Sequence, residues 1–212
     1  MNVIQTLAIS ALPIIFAITL HEAAHGYAAR QFGDPTAWQM GRISLKPLRH
    51  VDLVGTIIVP ALMVFTTGFL FGWAKPVPVN FGNLRRPKQD MLWVAAAGPA
   101  SNLMMAIGWA LFLKLVAVVP DIGYSEAMRA MGWWGIRING SLMLLNLLPL
   151  LPLDGGRIVM SLLPSPAAWK FAQLEPYGLF ILIGLLYFRI LDMILAPLFD
   201  VFLALLRALI GF

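Results

Sequence analysis

Two histidines and a glutamate stand close together at His21, Glu22 and His25, within the stretch ITLHEAAHGYAARQFGD. On a helix, residues four apart project from one face, one turn apart, so both imidazoles can bind the same zinc ion. Glu22 lies beside them and can reach a zinc-activated water as its general base. The spacing therefore predicts a hydrolytic zinc site. A chance match on a structural helix is the alternative, but ionisable groups inside an apolar span are costly and usually functional.

A catalytic zinc of this kind takes a third protein ligand and keeps its fourth position open. Asp154 stands apart from the other acidic residues because it lies in NLLPLLPLDGGR, residues 146–157, an apolar stretch broken by two prolines. Irregular backbone at membrane depth is tolerated only where it is buried in protein or lines a wet cavity. Asp154 is therefore a candidate ligand. A loop aspartate that caps the next helix is the alternative at this position.

The composition indicates a membrane protein. The 212 residues are 60% hydrophobic and only 12% charged, with a mean hydropathy of +0.82. A soluble domain carries about a quarter charged residues. The net charge of +5 fits lysines and arginines in cytoplasmic loops, and no nucleic-acid binding is expected because aromatic and basic residues do not alternate. The chain has no cysteine, which excludes disulfides and thiolate chemistry.

The apolar segments predict an all-α fold, a polytopic transmembrane helix bundle. We expect one membrane-embedded domain over residues 1–212, with a core at 4–163 and a C-terminal helical tail at 177–210. At 1.5 Å per residue the tail is about 51 Å long, which favours two tight spans over one upright crossing. The segments lie at residues 4–32, 51–74, 92–119, 133–150 and 177–210.

Three motifs in order carry a resemblance to a known family. They are HEAAH at 21–25, GPASN at 98–102 and NLLPLLPLDG at 146–155. The chain resembles the site-2 protease family of intramembrane zinc metalloproteases over about residues 4–163. GWAKPVPVN, residues 72–80, is similar to a signature of a compact prokaryotic-type branch. No PDZ-like or CBS-like module is expected, unlike in several relatives.

The resemblance implies that His21, His25 and Asp154 hold one Zn²⁺ per chain and that Glu22 is the general base and acid. It implies an intramembrane protease that hydrolyses peptide bonds within or near transmembrane segments of membrane protein substrates. The alternative is a zinc-binding membrane carrier or regulatory scaffold without peptidase activity. A carrier would show more broken, polar helices along a path through the bilayer, whereas this chain concentrates them at one depth.

The resemblance also implies that Asn102 and Asn146 line the site. A side-chain amide there can donate to a developing oxyanion or to the backbone of an extended substrate. The alternative for both residues is a hydrogen bond that only pairs two helices, as amides in membrane bundles often do.

The motifs constrain the topology. If His21, His25 and Asp154 share one zinc, the first span and the span before Asp154 run in the same direction, and the span with Asn102 runs oppositely. The first span and the 92–119 span then join on one side of the membrane. Residues 51–74 must therefore cross the membrane an even number of times, most simply zero, and we expect a re-entrant hairpin there. Basic residues on both flanks place these ends, and the opening of the active site, on the cytoplasmic side of a multi-pass protein in the cell membrane.

The segment KPVPVNF, residues 75–81, predicts a short extended stretch near the active site, because its prolines exclude a regular helix. A protease needs its substrate extended, and an edge beside the zinc could receive a substrate strand by backbone pairing. A rigid loop is the alternative for this segment.

Overall fold

The computed structural model describes residues 3–49, 75–120 and 123–212, together with positions 52, 55 and 58. Over this part of the chain the fold is all-helical, which confirms the predicted fold class. The eight α-helices of these residues are α1 Val3–Gln31, α2 Thr36–Gln39, α3 Pro87–Val118, α4 Ser125–Asn146, α5 Asp154–Leu162, α6 Ser165–Ala172, α7 Glu175–Tyr187 and α8 Ile190–Ile210.

Three described helices are long and apolar enough to cross a bilayer, at Ile4–Gln31, Pro87–Val118 and Ile190–Ile210. The protein is therefore a membrane protein. Helix α4 has a comparable length of 22 residues but carries two arginines and a glutamate. The predicted re-entrant hairpin at 51–74 lies outside the described residues, except for positions 52, 55 and 58.

Helices α1 and α3 run antiparallel. His25, late in α1, contacts the carbonyl of Val94, early in α3, whereas the earlier His21 contacts the later Asn102. The order of contacts is thus reversed along the two helices, as the motif positions predict.

Helices α3 and α4 are also antiparallel, and small residues let them approach closely. A side chain at Gly135 would collide with the ring of Trp109, and one at Gly132 would collide with Leu113. Small residues at helix interfaces are what membrane bundles use, because lipid tails are as apolar as the helices themselves. It follows that α1 and α4 run in the same direction, and both pack against α3 and against each other.

The largest buried apolar cluster joins α3, α4 and α8. The side chains of this cluster are each at most 9% exposed, and they hold α8 against α3 and α4. The cluster consists of Ala106, Ala110, Leu113, Ile136, Met143, Phe202, Leu206 and Ile210.

The link between α4 and α5 departs from the sequence-based expectation. Helix α4 ends at Asn146 instead of continuing to residue 150, and Asp154 opens the separate short helix α5. The two prolines in the link cannot donate to a helical hydrogen-bond ladder, so residues 147–153 fold as turns. Gly155 permits this, because a side chain there would collide with the Leu147 carbonyl.

The C-terminal tail also differs from the two tight spans expected. It divides into α7, which has 13 residues, and α8, which has 21. A break at Arg189, whose φ of 58° is left-handed, separates them. A helix needs roughly 20 residues to cross the hydrocarbon core, so only α8 has the required length.

Candidate metal centre

Three side chains from α1 and α5 converge on one point. His21 Nε2 lies 3.2 Å from His25 Nε2 and 3.3 Å from one carboxylate oxygen of Asp154, and His25 Nε2 lies 3.3 Å from the other. The two imidazoles are one helical turn apart on α1, and Asp154 reaches them because the turn at 147–153 redirects the chain before α5 begins. The structure thus brings together the three candidate ligands named from the sequence.

The remaining ring nitrogen of each histidine has a fixed partner. His21 Nδ1–H donates to the amide oxygen of Asn102 at 2.6 Å, and His25 Nδ1–H donates to the Val94 carbonyl at 2.8 Å. An imidazole that donates through Nδ1 keeps an electron pair on Nε2. Both Nε2 atoms are therefore in the state that binds a metal ion, with their rings held in place by the opposite nitrogen.

The arrangement fits zinc. Two ligand atoms of one tetrahedral zinc ion are about 3.3 Å apart when each bond is about 2.0–2.1 Å. The observed separations of 3.2 and 3.3 Å match this value. Two nitrogen electron pairs and a carboxylate repel one another unless a cation lies between them. Moreover, Asp154 Oδ2 is buried and accepts no hydrogen bond from the described residues.

Gly98, in α3, packs directly against both imidazoles. A methyl group there would lie 2.6 Å from His21 Cε1 and would collide with the ring of His25. Both rings are held by their Nδ1 hydrogen bonds, so they cannot move aside without losing a partner. The glycine of the GPASN motif is therefore needed for close contact between α3 and the two rings.

Glu22 points to the segment that precedes α3. Its carboxylate accepts a hydrogen bond from the backbone N–H of Val77 at 2.8 Å. Val77 is buried and packs near Gly26, one helical turn beyond Glu22. The Arg42 guanidinium holds the start of this segment by donating to the carbonyls of Lys75 and Pro76. Residues 75–80 thus lie beside the site without helical structure.

Asp34 holds the other end of this segment. Its fully buried carboxylate accepts hydrogen bonds from the Asn80 N–H at 2.7 Å, the Asn83 amide at 3.0 Å and both donors of Thr36. Burial acts to raise the pKa of Asp34, but these donors stabilise the anion more strongly and bring its pKa below the usual value.

The two asparagines named from the sequence have different surroundings. Asn102 is fully buried against His21. Asn146 ends α4, and its amide nitrogen donates to the carbonyl of Leu142 in its own helix at 3.0 Å. Among the described residues, Asn146 has no hydrogen bond to the three candidate ligands.

Asn139 is a further polar residue that sequence reasoning missed. It is fully buried in α4, and its amide oxygen accepts a hydrogen bond from the Asn102 amide at 2.9 Å. The signal that could have found it is an amide inside an apolar segment, since such groups need a partner in a membrane bundle.

Comparison with known proteins places the chain among membrane peptidases. The model of "Peptidase family M50" matches residues 119–186, which include Asn139, Asn146 and Asp154. "Putative zinc metalloprotease YwhC" of Bacillus subtilis is 38% identical over 177 residues, which are 82% of this chain and 78% of the relative. The chain belongs to peptidase family M50.

More distant members of family M50 are also similar. "Putative zinc metalloprotease Rip2" of Mycolicibacterium smegmatis is 29% identical over 81% of this chain, and "Putative zinc metalloprotease Rip3" of Mycobacterium tuberculosis is 28% identical over 72%. The chain spans 64% of that Rip2 and 30% of Rip3. No solved structure matches the chain significantly. Membership of family M50 confirms the resemblance drawn from the three motifs and the prediction of a site-2-type zinc metalloprotease.

Proposed function

We propose that this chain is an intramembrane zinc metalloprotease that hydrolyses peptide bonds within or near transmembrane segments of membrane protein substrates. One observation carries the proposal: three metal-binding groups from distant parts of the sequence meet at zinc-like separations inside a helical membrane protein of family M50. The carrier or scaffold alternative gains no such support, because metal transport does not require a glutamate beside the ligands.

His21, His25 and Asp154 would hold the zinc, leaving a fourth position open. When bound, zinc polarises the scissile carbonyl and makes water nucleophilic at neutral pH. Glu22 accepts the proton of the attacking water and returns it to the leaving amine. The hydrogen bond from the Val77 N–H supports this role, because it fixes the orientation of the Glu22 carboxylate.

The segment at residues 75–80 is the proposed edge for the substrate. Its backbone is fixed at three places, by Arg42, Glu22 and Asp34, so a substrate strand would pair with a preorganised partner. Pairing along this edge would hold the scissile bond extended next to the zinc ligands. A helical substrate must unwind there, because a helix hides its carbonyls in its own hydrogen bonds.

The two asparagines receive separate roles. Asn146 has a second amide N–H besides the one bonded to Leu142, and we assign it to the substrate carbonyl or the developing oxyanion. Asn102 accepts from His21 and donates to Asn139, and we assign it to the orientation of His21.

We further assign the chain to the cell membrane as a multi-pass protein with one membrane-embedded domain over residues 1–212. The active site opens to the cytoplasmic side. Arg42 and Lys75 support this orientation, because both basic flanks of the 51–74 segment meet at the C-terminal end of α1.

Replacing Glu22 with glutamine tests the proposal. Glu22→Gln should keep zinc, measured by elemental analysis of purified protein, yet lose cleavage of single-span reporter proteins in detergent by about 10²–10⁴-fold. Asp154→Ala should lose both zinc and cleavage. Glu126→Gln, at an exposed glutamate of α4, is the matched control and should retain both. Near-normal cleavage by Glu22→Gln would show that another group moves the proton.

A further inference from the structure

Three buried side chains form a continuous hydrogen-bonded row from α1 through α3 to α4. His21 Nδ1 contacts Asn102 Oδ1 at 2.6 Å, Asn102 Nδ2 contacts Asn139 Oδ1 at 2.9 Å, and Asn139 Nδ2 contacts the Gly135 carbonyl at 2.9 Å. Both asparagines are fully buried and His21 is 8% exposed. The side chains of this row therefore form their hydrogen bonds with other protein groups and not with bulk water.

The direction of this row is set at its far end. The Gly135 carbonyl can only accept, so Asn139 must present its nitrogen to Gly135 and its oxygen to Asn102. Asn102 must then donate to Asn139 and present its own oxygen to His21. An oxygen at that place requires a hydrogen on His21 Nδ1, and this leaves the electron pair on Nε2.

We propose that Asn139 is a positioning residue that selects the metal-binding tautomer of His21 through Asn102. The inference deepens the proposed function and rests on it for the identity of the zinc ligands. A neutral imidazole has two tautomers, and only the one with hydrogen on Nδ1 can bind zinc through Nε2. The amide of Asn102 can turn over, and Asn139 opposes this by accepting one of its N–H groups.

Loss of the Asn139 oxygen would weaken this selection without removing a zinc ligand. Among the described residues, the amide nitrogen of Asn102 would keep only its longer contact of 3.3 Å to the Ala17 carbonyl, which alone would then oppose turnover of the amide. With Asn102 turned over, its nitrogen would face His21 Nδ1, and the hydrogen of the ring would move to Nε2. His25 should stay unchanged, because its Nδ1 donates to the Val94 carbonyl, which cannot turn over.

The test compares Asn139→Leu with the wild type as purified full-length chains labelled with ¹⁵N-histidine. The chain has three histidines, so the nitrogen spectrum is simple. In the metal-free protein we expect the Nδ1–H tautomer for His21 in the wild type and a shift towards Nε2–H in Asn139→Leu, with His25 unaffected. Zinc affinity, measured by competition with a chromogenic chelator, should fall about 10–100-fold.

Two further variants separate this role from a general loss of structure. Asn139→Asp in its protonated form keeps an acceptor for Asn102 and a donor for Gly135, so it should restore most of the affinity. Glu126→Gln changes an exposed residue of the same helix, and it should leave zinc affinity unchanged.

The outcomes also separate this inference from the proposed function. If Asn139→Leu keeps the wild-type tautomer and zinc affinity while the wild type cleaves reporters, the inference is wrong and the function stands. If the wild type binds zinc but cleaves nothing, the function fails, yet a tautomer shift in Asn139→Leu would still establish the role of Asn139. Equal losses of affinity in Asn139→Leu and Asn139→Asp would also refute the selective role.

Discussion

The residues of this site have polar side chains that are largely buried, where a polar group without a hydrogen-bond partner destabilises the fold. Burying an amide or imidazole without a hydrogen bond costs roughly 1–3 kcal/mol in proteins. His21, Asn102 and Asn139 avoid this cost by bonding to one another. The carboxylate of Asp154 does not, since its buried Oδ2 accepts no hydrogen bond within the described residues. That imbalance is expected of a group that a cation completes.

Gly98→Ala should disable the metal site although Gly98 is not a ligand. The added methyl group would lie 2.6 Å from His21 Cε1, so the imidazoles must rotate and give up their Nδ1 hydrogen bonds. Zinc affinity should fall by about 10–100-fold, the range seen when groups that orient metal ligands are removed. Chelator competition on the purified protein measures this.

Gly108→Ala is the matched control for that prediction. Gly108 lies in the same helix, α3, and a methyl group there meets no atom of the described residues within 4 Å. Alanine is a better helix former than glycine by about 1 kcal/mol, so this variant should be at least as stable as the wild type. Equal zinc affinities for Gly98→Ala and Gly108→Ala would contradict the packing argument.

Some residues of this site could be predicted from the sequence and others could not, and the difference has physical reasons. His21, Glu22 and His25 were predictable because their chemistry depends on helical spacing alone. The two prolines beside Asp154 made it a candidate only, with a helix-capping aspartate as the alternative, and the family resemblance implied its role as a ligand. The role of Asn139 was not, since it depends on where α3 crosses α4, and neither periodicity nor spacing within one helix contains that information.

Among the structural elements, the segment at residues 75–83 shows how a stretch without α-helix before α3 can still be held in place. Arg42, Glu22 and Asp34 bind it through five of its polar groups. Two of these anchors belong to the loop after α1, and the third is the proposed catalytic glutamate. Motion of this segment is therefore tied to the geometry of the active site.

Asp34→Asn should destabilise the protein in a pH-dependent way. The folded state lowers the pKa of Asp34, so the carboxylate contributes stability above its unfolded pKa, and this contribution is lost as the pH falls through the folded pKa. Hydrogen bonds to a charged group each contribute about 1.5–3 kcal/mol. At pH 7 the variant should therefore unfold at a lower temperature than the wild type in detergent.

The difference in Tm between wild type and Asp34→Asn should shrink below about pH 4, where the unfolded carboxyl is protonated. Glu126→Gln, which removes an exposed carboxylate, should show no comparable dependence on pH. A difference that stayed constant down to the lowest pH would mean that Asp34 stabilises the loop through its shape and not through its charge.

Helix ends were less predictable than helix existence. The apolar segments correctly indicated α1, α3 and α8, because a long continuous apolar run has few alternatives to a helix in a bilayer. The end of α4 at Asn146 and the break at Arg189 depend on local turns. A proline removes one helical hydrogen bond, but tertiary contacts decide whether the helix stops there, since Pro13, Pro99 and Pro197 all lie inside helices.

For the whole molecule, the candidate metal site links parts of the chain that are far apart in sequence. His21 and His25 belong to the first helix, Asp154 opens the fifth, and Gly98 of α3 packs against both imidazoles. The predicted parallel direction of α1 and α4 follows from this requirement, since both must present their polar groups at one depth. The positions of the motifs thus predicted the relative directions of the helices, which hydropathy alone does not give.

Removing the metal should lower the stability of the whole bundle. A ligand that binds only the folded state at a free concentration of about 1,000 times its Kd stabilises it by about 4 kcal/mol. For a chain of 212 residues this corresponds to a Tm change on the order of 10 °C. Adding a strong chelator to the zinc-loaded protein in detergent should lower Tm by that amount, and restoring zinc should reverse it.

Two variants decide whether the stabilisation arises at the proposed site. Asp154→Ala should unfold at the same temperature with and without chelator, because it no longer links α5 to α1 through a metal. Asp200→Ala, at an exposed aspartate of α8, should respond to chelator as the wild type does. If chelator lowered the Tm of Asp154→Ala as much as that of the wild type, zinc would have to stabilise the protein elsewhere, and the three converging side chains would not be its site.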